Sequence, residues 1–144
     1  MQYREPSARV DEIAHRVIGA AIDVHRSLGP GLLESVYQHS LQVELRHLGL
    51  QVKRHVPVPM LYRDEVVGSH QLDFLVEEEL IVELRSVEKL ADVHRAQVLT
   101  YLRASNLDLG LLINFNVALL RDGLARVIRG GRVLGRESVP PRGS

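Results

Sequence analysis

The sequence predicts an α/β domain: a central mixed sheet of about four to five strands flanked by helices, in the order α-α-β-β-β-α-β-β. Apolar residues recur at steps of three or four through the first third of the chain and again from about Val93 to Ala104, which reads as helix. Between these stretches the period falls to two, which reads as strand. Along the second strand both parities carry bulk, so both faces of the sheet need cover and helices lie on each.

The first helix runs from Val10 to Leu28, its stripe formed by Val10, Ile13, Val17, Ala21, Val24 and Leu28. Gly29-Pro30-Gly31 breaks it. The second runs from about Leu33 to His47 on Leu33, Val36, Tyr37, Leu41, Leu45 and Leu48, with Gly49 as its stop. Val52, Val56 and Val58 begin a strand that runs towards Tyr62, and Pro57 and Pro59 mark it as an edge or bulged strand. Arg63-Asp64-Glu65 is a polar turn without the glycine that a tight hairpin prefers. Strands follow at Val66 to Val76 and Leu80 to Val87, joined through Glu77-Glu78-Glu79. Leu72, Phe74 and Val76 face one side of the sheet, Asp73 and Leu75 the other. The third helix carries Ala96, Leu99 and Leu102 or Arg103 along its length, with Asp92 as candidate N-cap. Leu109 to Phe115 is a strongly apolar strand, and Leu124 to Ile128 a short last one. Residues 1–129 thus read as one domain, and residues 130–144, rich in Gly, Arg and Pro, as a loose tail.

Composition narrows the function classes. The 144 residues, 45% hydrophobic and 25% charged, suit one globular domain with a real core. Eighteen basic and 18 acidic residues balance to a formal net charge of zero, which argues against gripping nucleic acid by bulk charge. Local basic groups remain available at Lys53-Arg54-His55 and at Arg121, Arg126, Arg129, Arg132 and Arg136. Absence of cysteine excludes disulfides and thiolate chemistry and makes a cytoplasmic location the simplest reading. No apolar run approaches the ~20 residues of a membrane span. Aromatics at 4% and no tryptophan argue against a single-strand stacking platform. The seven histidines are scattered, with no HExxH spacing, which argues against zinc.

Asp73 and Glu83 are the candidate site. With Glu77-Glu78-Glu79 as a hairpin tip, Val76 pairs with Leu80, Phe74 with Val82 and Asp73 with Glu83. Opposed residues share a face, their Cβ atoms ~5 Å apart, so the two carboxylates repel unless a cation lies between them or one is protonated. A hard divalent ion resolves the conflict; the alternative is a solvated pair on an exposed sheet face. Arg85, two residues beyond Glu83, projects from the same face. It either serves the site as a positive group or pairs with the acids and replaces the ion.

Four blocks follow one another in the order seen in the GxxExxY protein family: Gly31-Leu-Leu-Glu34-Ser-Val-Tyr37, Val-Glu83-Leu-Arg85-Ser-Val-Glu-Lys-Leu, His94-Arg-Ala-Gln97-Val-Leu-Thr-Tyr101-Leu and Gly110-Leu-Leu-Ile-Asn114-Phe115. The helix, three-strand, helix, strand order, with an acid late in its second strand, resembles the PD-(D/E)XK nuclease superfamily. The resemblance covers roughly Val10 to Ile128. It implies a restriction-endonuclease-like core, Mg²⁺ or Mn²⁺ as cofactor and metal-dependent hydrolysis of phosphodiester bonds in nucleic acid. Carried over residue by residue, Asp73, Glu83 and the Leu84 carbonyl hold the metal. Glu34 completes the site, unless it only favours the positive end of its helix. Gln97, on one helical face with His94 and Tyr101, orients a phosphate or a water, unless the three form a polar rim. Arg85 stands where the superfamily has lysine; it keeps the charge but is planar, bulkier and does not release its proton. A metal-dependent nuclease weakened at Arg85 is therefore the first expectation. A catalytically inactive nuclease fold that binds nucleic acid or protein is the alternative. A third reading is a homo-oligomer paired through the sheet edge near Val56.

Overall fold

A computed structural model describes residues 5–130. The order is α1 (Ala8–Leu28), α2 (Glu34–His47), β1 (Val52–Tyr62), β2 (Glu65–Val76), β3 (Leu80–Arg85), α3 (Asp92–Ser105), β4 (Leu109–Asn114), a 3₁₀ turn (Leu120–Gly123) and β5 (Leu124–Ile128). The strands form one mixed sheet, as the sequence predicts, in the lateral order β1-β2-β3-β4-β5. Only β3 and β4 are parallel, with α3 as the crossover between them. Among the described residues no helix is long and apolar enough to cross a membrane.

Helices cover both faces. Ile13 and Val17 of α1 and Leu41 and Leu45 of α2 pack with Phe74, Val82 and Leu111 on one side. Val98 and Leu102 of α3 pack with Ile81, Leu112 and Val127 on the other. The two central strands are therefore apolar at nearly every position, Glu83, Arg85 and Asn114 excepted.

Local chemistry fixes the joints. Ser7 Oγ accepts a hydrogen bond from the Val10 N–H at 3.2 Å and starts α1. Between α1 and α2 the chain passes through Gly31 at φ 95°, which glycine adopts at little cost. The Tyr37 hydroxyl donates to the Gly29 carbonyl at 2.6 Å and accepts from the Leu32 N–H at 3.1 Å. Its ring stacks on Phe115 at 4.5 Å. The glycine and tyrosine of the Gly31…Tyr37 block are thus structural and aim the start of α2.

Four expectations need correcting. Arg63 and Asp64 alone form the β1–β2 turn, at φ 49° and 65°, so two non-glycine residues take the left-handed conformation. The apolar stripes are shorter than their sequence pattern: Leu28, Leu33, Val36 and Leu48 are exposed. On α3, Ala91 rather than Asp92 is the N-cap, and Val98, Tyr101 and Leu102 form the buried face while Ala96 is exposed. Gly110 sets that face, since a Cβ there would lie 2.7 Å from Val98 Cγ1. Leu72 packs on the α3 side with Leu75, opposite to Phe74 and Val76. Residues 131–144, most of the expected tail, lie outside the described residues. Val56 does lie on an edge strand.

Candidate active site

The β2–β3 hairpin builds the site. Val76 pairs with Leu80, Leu75 with Ile81 and Phe74 with Val82, and there the backbone ladder ends. Beyond it, carboxylates take over the pairing. The Asp73 N–H donates to Glu83 Oε2 at 2.6 Å, and the Leu84 N–H donates to Asp73 Oδ2 at 2.8 Å. Each acid thus satisfies a backbone donor of the opposite strand, which a buried N–H requires. Here the alternation of β2 breaks, and across on β1 His55 takes φ 56°.

Further groups close around the pair. Glu83 is fully buried, and His70 Nε2 lies 2.7 Å from its Oε1. The His70 ring stacks on Tyr101 at 3.9 Å with an interplanar angle of 5°. Gln38 Nε2 donates to Asp73 Oδ1 at 3.2 Å and to Glu34 Oε1 at 3.4 Å. Gln38 Oε1 accepts from Arg54 at 3.1 Å, and that guanidinium lies over the Phe74 ring. Arg85 Nη1 donates to the Leu84 carbonyl at 2.7 Å and lies 3.7 Å from Asp73 Oδ2. Its Nη2 lies 4.0 Å from Glu83 Oε1. Asn114 fixes the chain beyond Arg85: Oδ1 accepts from the Val87 N–H at 3.1 Å and Nδ2 donates to the Val87 carbonyl at 2.9 Å.

The site is short of positive charge. Burial pushes the Glu83 carboxyl above its ordinary range, and Asp73 pushes it further; the Asp73 N–H and His70 counter only part of this. Burial also raises Glu34, with Arg85 lowering it, Asp73 raising it and the Ser86 N–H lowering it. Burial raises the Tyr101 hydroxyl, reinforced by Glu83. Unit charges ~4 Å apart interact by about 4 kcal/mol at an effective dielectric of ~20, so one guanidinium among three acids is a large but incomplete compensation.

The structure brings Glu34, Asp73, Glu83, Leu84 and Arg85 together as one spatial group. Gln97 is exposed on α3 and has no hydrogen bond to the acids; Tyr101, one turn on, reaches the group instead. Gln38 and His70 escaped the sequence reading. Gln38 carried a signal, four residues after Glu34 on the same helical face. His70 carried none, because its contact with Glu83 exists only where β2 and β3 part.

A divalent ion does not fit this arrangement. Each oxygen of Asp73 and Glu83 accepts one hydrogen bond, from Gln38, the Leu84 N–H, His70 or the Asp73 N–H, so the obstacle to an ion is Arg85. The Leu84 carbonyl, the third expected ligand, is taken by Arg85. The guanidinium is bordered by all three groups expected to hold the ion. Among the described residues no three His, Asp or Glu side chains form a metal-binding group.

Residues 11–127 match the family model described as the PD-(D/E)XK nuclease superfamily. No curated protein and no solved structure matches the chain.

Proposed function

The chain belongs to the PD-(D/E)XK nuclease superfamily, and from that premise we propose that it acts on the phosphodiester backbone of nucleic acid, as a nuclease of the GxxExxY branch weakened by Arg85. The observation that carries this reading is the convergence of Asp73, Glu83 and Arg85 where β2 and β3 part, with Glu34 joined to Asp73 through Gln38. Superfamily nucleases usually use a divalent ion such as Mg²⁺ or Mn²⁺, which lowers the pKa of a bound water and neutralises charge at the phosphate. The residues as arranged, with Arg85 between the acids and the Leu84 carbonyl, do not fit that ion. Their own contributions are a fixed acid pair, a half-buried third acid and a guanidinium. A guanidinium can grip phosphate through two parallel N–H groups but cannot hand over a proton.

The test is cleavage of supercoiled plasmid, single-stranded DNA and RNA by the wild type, Glu83→Gln and Arg85→Lys, with Mg²⁺ or Mn²⁺ supplied. Weak wild-type cleavage should vanish in Glu83→Gln and rise roughly tenfold in Arg85→Lys, about 1.4 kcal/mol of barrier. Equal activity in wild type and Glu83→Gln would show that the site is misassigned. The same guanidinium favours a second reading, a nuclease fold that binds nucleic acid without cutting. That reading predicts metal-independent binding by fluorescence anisotropy and no cleavage even in Arg85→Lys.

A further inference from the structure

We propose that Arg85 is the resident cation of this site and that a divalent ion and its guanidinium exclude one another. The inference rests on the same acids as the reading above, but not on cleavage. Three observations support it. The guanidinium touches the Leu84 carbonyl at 2.7 Å and lies 3.7 Å from Asp73 Oδ2 and 4.0 Å from Glu83 Oε1, so one positive group borders all three groups that would hold an ion. The other partners of the acids, the Asp73 and Leu84 N–H groups, Gln38 and His70, each fill one lone pair of an oxygen, which leaves Arg85 as the permanently charged neighbour of the pair.

The third observation is confinement. Arg85 ends β3, its backbone held by pairing with Asn114 and by the Phe115 N–H on its carbonyl at 3.0 Å. Its side chain is only 18% exposed. A small octahedral ion needs oxygens at ~2.1 Å and open positions for water, and here it would meet a like charge inside its own coordination shell. Removing the guanidinium takes away the repulsion and frees the Leu84 carbonyl. The acid pair then lacks its counter-charge and becomes a site for Mn²⁺ or Mg²⁺.

The experiment uses Mn²⁺ alone, without nucleic acid, so its result is independent of the cleavage test. Free Mn²⁺ is followed by electron paramagnetic resonance and folding by thermal melting. The wild type should bind Mn²⁺ no tighter than millimolar and melt at the same temperature with and without it. Arg85→Met, which keeps an apolar stem, should melt lower, bind Mn²⁺ at least tenfold more tightly and regain melting temperature as Mn²⁺ is added. The gain should disappear in Arg85→Met combined with Asp73→Asn, which separates the site from the glutamates of the hairpin tip. Micromolar binding by the wild type would overturn the inference whether or not the variants fold. So would a gain that survives the Asp73→Asn change, or an Arg85→Met protein that binds no better than the wild type.

Discussion

His70 shows how much one side chain can depend on its surroundings. Glu83 is fully buried, and His70 is the partner of its Oε1 at 2.7 Å. His70→Ala therefore leaves a buried carboxylate oxygen without that bond and strips the stack from Tyr101. The loss should be about 1–3 kcal/mol, read as a shifted urea midpoint at constant slope. A midpoint indistinguishable from the wild type would mean that water replaces the imidazole without cost. Asp73 and Glu83 were legible in the sequence because counting outward from a hairpin tip fixes which residues meet. Glu34 was legible because a motif placed it at the start of a helix. His70 was not, since the contact arises from a local parting of two strands that no spacing encodes. Arg85 was legible as a departure from the superfamily, but only its position at 3.7 Å from Asp73 shows which of its two readings the geometry favours.

At the scale of elements, the change of period from helix to strand marked most boundaries to within a residue or two, and β5 came out as Leu124–Ile128. The departures lie where backbone conformation, not hydrophobicity, decides. The Arg63–Asp64 turn and the break of alternation at Asp73 involve left-handed residues whose side chains do not announce it. The approach of the 3₁₀ turn to β4 is equally silent in the sequence. A Cβ at Gly123 would lie 2.1 Å from the Asn114 carbonyl oxygen, a backbone atom that cannot rotate away. Gly123→Ala should therefore cost about 3 kcal/mol, near the upper end for overpacking, and loosen the Asn114 clamp on Val87. Gly68→Ala on β2, with no atom within 4 Å, is the control and should be neutral or slightly stabilising. Equal stability of the two variants in chemical denaturation would show that β4 and the turn can separate freely.

The whole molecule inherits a pH dependence from its site. Burial raises both Glu34 and Glu83. Above their ordinary value of 4.5, the folded protein holds protons that the unfolded chain has released. This contribution to stability is complete below that value and is lost as pH rises through the folded-state values. Unfolding free energies measured as pH rises above 4.5 should fall more steeply for the wild type than for Glu83→Gln, which has no carboxyl to titrate at that position. Parallel curves would show that Glu83 holds no proton above that value. The pairing of each acid with the neighbouring strand's N–H has a wider consequence. A lineage that gave up cutting would still need both acids to finish its sheet. Their survival in a descendant would record architecture rather than chemistry, and the residue two places after Glu83 would be the better witness of lost activity.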